Sequence, residues 1–377
     1  MSNQVSRGAR LRAAVIVLSF TLSLVAGAAE AGSSETRATA AASAAPRTVL
    51  AAPSSIGSVI GRIGTGLGGA LSQINQGLGV AIGQLSQGLG TVVGHLDGSY
   101  IEPTAGTTSS EGYIASDGLA RRFILVRPTV SIDDAPVLIL LHAKGLSPER
   151  MANLTRAGRL AADYGVWVYL PEAELKNWND DPQNLIGPDD VAFLRRLIDS
   201  VVTANKLDAK RVFMAGYSNG GFMAERAGCA LSSRIAGLAT VAATLRESVA
   251  ADCPLGHNMP VAQFQGTSDL IVPYNGLPGL TSAPVSAAFW AQQSHCAAGQ
   301  IQTSALPRTI HDDTSVSVTR YTGCPFGTGV SLYTIDHGGH TWPDSQDAVY
   351  TAELGRTTRD VDATLELWRF FSPYALQ

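Results

Sequence analysis

The chain has 377 residues, 45% hydrophobic and 15% charged, with a formal net charge of −4. That length accommodates one large domain with an appendage, or two domains. The near-neutral balance, without a basic run, gives no electrostatic footprint for a nucleic-acid partner.

Arg7, Arg10 and Arg12 precede an apolar stretch from Ala13 to Ala26, and Ala29-Glu30-Ala31 supplies small residues for cleavage. Charged start, short apolar core and small-residue exit read as a secretory signal peptide over residues 1–31. A membrane anchor fits less well, because about 14 apolar residues fall short of the roughly 20 that a spanning helix needs. With no cysteine near the cleavage region, a lipid-anchored form is disfavoured, and the expected location is extracellular. Residues 32–55, rich in Ala, Ser and Thr, read as a flexible linker.

Residues 56–97 form a glycine-rich segment with an 11-residue period: Ile63–Gln73, Ile74–Gln84 and Leu85–His95, after a looser copy at Ala52–Arg62. Apolar residues at repeat positions 1, 5 and 9 would line one slowly drifting helical stripe, since this period is about 3.67 residues per turn. Each glycine costs such a helix roughly 0.8–1 kcal/mol relative to alanine. The segment therefore reads first as a low-complexity spacer, and second as a surface for self-association or adsorption to a membrane or apolar solid.

From about Glu111 the composition turns globular, and a catalytic domain is expected over residues 112–377. Strands are predicted at Arg122–Val126, Pro136–Leu141, Val166–Leu170, Arg211–Ala215, Ile235–Ala242, Val261–Gln265 and Val330–Ile335. Helices are predicted at Pro188–Val202, after Ser218, and at Val361–Phe371. The alternation predicts an α/β fold, a mainly parallel sheet with helices on both faces. Right-handed crossovers then put the strand C-terminal ends along one edge.

Gly216-Tyr217-Ser218-Asn219-Gly220 sets a serine in a Gly-x-Ser-x-Gly frame between strand and helix, the context of a nucleophile elbow. The alternative is a glycine-rich turn after a buried strand. A serine hydroxyl needs a base, and the base an orienting acid, in the chain order Ser, Asp or Glu, His. Asp269 follows strand Val261–Gln265 at the same edge; Asp252, Asp312 and Asp313 fit worse. His340 follows two glycines after the last strand and is the expected base, with His337 as a loop residue. Backbone N–H groups of Asn219 and Lys144 are the expected oxyanion donors, with Ala143 close behind Lys144 and His142 structural. Trp178 and Trp342 are candidates for the substrate rim or for the core.

Cys229, Cys253, Cys296 and Cys324 form an even set consistent with an oxidising compartment. Three pairings are possible; the sequential one, Cys229–Cys253 and Cys296–Cys324, closes the short loops and is favoured. The Cys and His spacings match no zinc pattern, so no metal is expected.

Three separate motifs, Gly216–Met223, Gly266–Asp269 with Ile271–Tyr274, and Gly338–Pro343, together resemble the secreted poly(3-hydroxybutyrate) depolymerase and feruloyl esterase-like α/β-hydrolases. Asp189–Phe193 and the cysteine positions fit as well, and the resemblance covers about residues 112–377. It implies Ser218, Asp269 and His340 as nucleophile, acid and base, an ester substrate, no cofactor, and the sequential disulfides. One feature departs from the pattern: His142-Ala143-Lys144 stands where His-Gly and often cysteine are usual. The expected activity is that of a serine esterase, depolymerase-like, with a feruloyl or acetylxylan esterase as the alternative. A non-catalytic surface-binding protein with a vestigial hydrolase domain is the alternative of another class.

Overall fold

Ten strands make one sheet, and six neighbours at its centre run parallel. In the computed structural model they are β3 (Val137–Leu141), β4 (Trp167–Pro171), β5 (Val212–Tyr217), β6 (Gly237–Val241), β7 (Val261–Gly266) and β10 (Val330–Asp336). The remaining four are β1 (Thr107–Ser116), β2 (Leu119–Pro128), β8 (Ile301–Ala305) and β9 (Ser315–Tyr321). Spatial order is β1-β2-β4-β3-β5-β6-β7-β10-β9-β8, with antiparallel pairs at both ends. The structure describes residues 100–254, 258–347 and 353–376. The signal peptide, linker and glycine-rich repeat expected from the sequence lie outside the described residues.

Every residue of β3, Val-Leu-Ile-Leu-Leu, is buried, as a strand covered on both faces must be. Its side chains alternate between two cores. Val137, Ile139 and Leu141 face one that includes Phe193, Leu197, Met223 and Trp290, while Leu138 and Leu140 face another that includes Met151, Leu160, Leu367 and Phe371. The first core is closed by α3 (Asp190–Asn205), α4 (Asn219–Ala230) and α5 (Ala283–Gln293). The second is closed by α1 (Pro148–Thr155), α2 (Gly158–Tyr164) and α6 (Ala363–Phe371).

Side-chain caps fix where several helices begin. Ser147 caps α1, Asp189 caps α3, and Asp362 caps α6, each accepting a backbone N–H three residues on. The α3 cap explains why that helix starts at Asp190 rather than at Pro188. β1 also lies partly ahead of residue 112, so the folded unit takes in residues before the expected boundary.

Two disulfides join Cys229 to Cys253 and Cys296 to Cys324, the sequential pairing. The first ties α4 to the segment before β7; the second ties the exit of α5 to the turn before β10.

Candidate active site

Strand β5 ends at Tyr217, and the next residue breaks the strand sharply. Ser218 has φ 53° and ψ −121°, a left-handed conformation rare for a side chain with a Cβ. The strain is held by backbone bonds: Ser218 N–H donates to Val241 O at 2.9 Å, and Ser218 O accepts from Gly221 and Phe222 N–H at 2.8 and 3.0 Å. Space for so tight a turn comes from glycine. A Cβ on Gly216 would collide with the Gly220 carbonyl, and one on Gly220 would collide with the carbonyls of Leu141 and His142.

Loops leaving β7 and β10 bring two further side chains to the serine. His340 Nε2 lies 2.8 Å from Ser218 Oγ, and His340 Nδ1 lies 2.8 Å from Asp269 Oδ2. Both His340 and Asp269 are buried. The histidine loop fits because Gly338 and Gly339 carry no Cβ. Such an atom on Gly339 would strike Leu354 O, and the Gly338 carbonyl sits where a side chain on Gly266 would stand. Backbone bonds from Gly339 to Arg356 O (2.9 Å) and from His340 to Leu354 O (2.8 Å) fix the loop. Tyr217 adds a floor: its hydroxyl donates to His340 O at 2.6 Å, and its ring lies 5.5 Å from the imidazole.

Asp269 is oriented as firmly. Oδ1 accepts from the N–H groups of Ile271 (2.9 Å) and Val272 (2.8 Å), and Oδ2 accepts from Gln265 Nε2 (3.1 Å) as well as meeting His340. With both oxygens engaged, the carboxylate cannot swing away from the imidazole. Gln265 was not singled out from the sequence. Its signal was slight: one of two glutamines on a buried strand, four residues before the aspartate.

The exit of β3 passes over the start of α4. In its turn, Gly145 N–H is engaged by Lys176 O (2.8 Å) and Leu146 N–H by Ala143 O (3.0 Å), so Ala143 and Lys144 are the residues left to offer N–H groups to a ligand. His142 is buried; its Nε2 accepts from Ala173 N–H at 3.1 Å, so Nδ1 carries the hydrogen toward Ala143 O at 2.8 Å. Burial pushes this imidazole down to about 4, and it stands neutral.

The rim role considered for Trp178 and Trp342 is corrected. Each is 1% exposed. Trp342 donates from Nε1 to Thr364 Oγ1 (3.0 Å) and packs edge-on against Tyr217, anchoring the histidine loop to α6. Trp178 donates from Nε1 to His142 O (3.0 Å). An indole N–H satisfied by a buried backbone or side-chain oxygen belongs to the scaffold. His337, by contrast, is exposed, with Nδ1 3.3 Å from Asp313 O.

Comparison with known proteins bears on the fold and the class of activity. Residues 121–252 match the family described as Esterase PHB depolymerase, a span that holds the serine and the β3 exit and stops before Asp269. The esterase assigned provisionally as NocK, of Nocardia uniformis subsp. tsuyamanensis, is 29% identical over 276 residues, 68% of this chain and 80% of that protein. Feruloyl esterase B of Piromyces equi is 28% identical over 229 residues, 56% of this chain and 40% of that longer protein. The chain is a carboxylic ester hydrolase of the α/β-hydrolase fold. It is similar to PHB depolymerase-like and feruloyl esterase-like enzymes. Its fold is also that of an acetyl xylan esterase from Aspergillus awamori, at a TM-score of 0.50 and 12% identity, covering 65% of this chain and 98% of that one.

Proposed function

We propose that the esterase is a secreted serine hydrolase that cleaves hydroxyalkanoate-type esters through an acyl-enzyme. The observation that carries the reading is the unbroken hydrogen-bonded relay from Asp269 through His340 to Ser218, with both links at 2.8 Å. His340 Nε2 takes the Ser218 proton as Oγ attacks the ester carbonyl carbon, and Asp269 holds the imidazolium that forms. The tetrahedral oxyanion meets the N–H groups of Asn219 and Lys144. Collapse expels the alcohol, which leaves with the proton from His340. Water then gives a proton to His340, attacks the acyl carbon, and frees the acid and the serine.

Two disulfides support export, because such bonds persist in oxidising compartments. The family match favours a hydroxybutyrate polyester as substrate. The kinship with a feruloyl esterase supports cell-wall feruloyl or acetyl esters as the second reading.

Two measurements test this. Ser218→Ala abolishes hydrolysis of p-nitrophenyl butyrate; activity persisting at the wild-type rate sinks the mechanism. Product analysis on hydroxybutyrate polymer and on feruloylated arabinoxylan separates the substrates: soluble hydroxybutyrate oligomers are expected, and ferulate alone reverses the order of the two readings.

A further inference from the structure

The segment between β4 and α3 touches both pieces of backbone that would bind the oxyanion, and it does so through hydrogen bonds, all but one of them buried. Toward the β3 exit, Ala173 N–H donates to His142 Nε2 (3.1 Å), Trp178 Nε1 donates to His142 O (3.0 Å), and Lys176 O accepts from Gly145 N–H (2.8 Å). Toward the elbow, Trp178 N–H donates to Asn219 Oδ1 (2.8 Å), and Asn219 Nδ2 donates to Trp178 O (3.1 Å) and Asp180 Oδ2 (3.0 Å). We propose that residues 173–178 are a clamp that sets the spacing of the two oxyanion donors, with Trp178 and the Asn219 side chain as its positioning residues.

The clamp is itself anchored. Asp190 Oδ2 accepts from Asn179 N–H (2.7 Å), Asp190 Oδ1 pairs with the buried Arg121 (2.7 Å), and Arg226 donates to Asn179 O (2.6 Å). The jaw therefore cannot drift with the surface loop beyond it. On the inner side, Gly220 lets the start of α4 sit directly on the carbonyls of Leu141 and His142. The two donor backbones thus meet in van der Waals contact within and are tied from outside by one indole and one amide.

Such ties matter because donors stabilise a developing oxyanion only when they are already in place. Misplacement by about 1 Å can cost on the order of a hundredfold in rate. Trp178 touches no reacting atom in this account; it acts on the donors through His142 O and Asn219.

The proposal rests on the serine-esterase reading, and its test separates the two. The full chain is compared with Trp178→Phe, which deletes the indole donor, and Asn219→Asp, which keeps the side-chain volume but loses both amide donations. With p-nitrophenyl butyrate, kcat is expected to fall about ten- to hundredfold while KM stays within about twofold. Inhibition by an alkylboronic acid, whose tetrahedral adduct places an oxygen in the oxyanion site, is expected to weaken by the same factor. A merely structural role would lower the active fraction and leave the boronate inhibition constant unchanged. Wild-type kcat in both folded variants, or a kcat loss with unaltered boronate affinity, overturns the clamp. Should Trp178→Phe not accumulate as folded protein, Asn219→Asp decides alone. If Ser218→Ala keeps wild-type activity, the underlying mechanism fails instead, whatever the clamp variants do.

Discussion

Asp269 accepts hydrogen bonds from Gln265, Ile271, Val272 and His340, and only the last partner stands out from motif spacing. Two of the donors are backbone N–H groups that any sequence provides once the turn after β7 forms. Gln265 is different, because its amide also donates to Val272 O (2.6 Å) and so fastens the turn to the strand. Replacing it by methionine keeps the volume and removes both donations. A bond to a charged acceptor contributes about 1.5–3 kcal/mol, so kcat/KM for Gln265→Met is expected to fall about tenfold or more, read on the same chromogenic ester. At this scale Ser218, Asp269 and His340 were legible from residue type and order, since a hydroxyl, a carboxylate and an imidazole in that order have few other joint uses. Trp178, Trp342 and Gln265 were not. An indole reads alike at a rim or in a core, and which neighbour takes its N–H is decided by residues far along the chain.

Among the elements, the buried parallel strands were the easiest to read. β3, β4 and β5 are continuous apolar runs because water reaches neither face. The edge strands were missed for the converse reason. β8 is exposed at every residue, and β1 is mostly polar, so neither carries an alternating pattern. They exist because a neighbouring strand offers a ladder of unpaired backbone groups. Short helices α1 and α2 were also missed, having too few turns to show a clear period, and α5 because its alanine-rich sequence carries no distinct apolar stripe. Of the helices, α4 has the most direct bearing on catalysis, since it begins at the elbow and ends beside Cys229. Opening Cys229–Cys253 frees a loop of 24 residues. The double variant Cys229→Ala/Cys253→Ala is expected to lose about 2–5 kcal/mol of unfolding free energy. Chemical denaturation measures this directly, and a variant as stable as the oxidised parent would show the bond to be dispensable.

At the scale of the whole molecule, two buried groups outside the relay shape how stability depends on pH. Glu225 on α4 is buried against β7 and α5, where Oε1 accepts from Gln263 Nε2 (2.9 Å) and Ser286 Oγ (3.4 Å); burial pushes its carboxyl up to about 8 from an ordinary 4.5. Between those values the folded chain keeps a proton that the unfolded chain has released, so stability falls as pH rises, by at most about 1.4 kcal/mol per pH unit. His142 works in the opposite sense. Its pKa is pushed down by burial to about 4 from 6.5, so stability falls as pH drops through that window. From these two groups alone, a plateau is expected between about pH 4.5 and 6.5, where the slopes cancel. Glu225→Gln is expected to remove the alkaline decline. Urea midpoints at pH 5 and pH 8 check it, and an unchanged slope in the variant would assign the decline to other groups. The sequence by itself determined the alternation of strands and helices and the strained serine turn, because each depends on local pattern, and it favoured, without deciding, the sequential pairing of the cysteines. Only the tertiary structure decided that positions 218, 269 and 340 lie within hydrogen-bond reach, that both tryptophans are buried, and that residues 173–178 bridge β3 to α4. Those depend on how strand ends far apart in the chain line up along one sheet edge, and burial and hydrogen-bond partners are set there rather than by any single stretch of sequence.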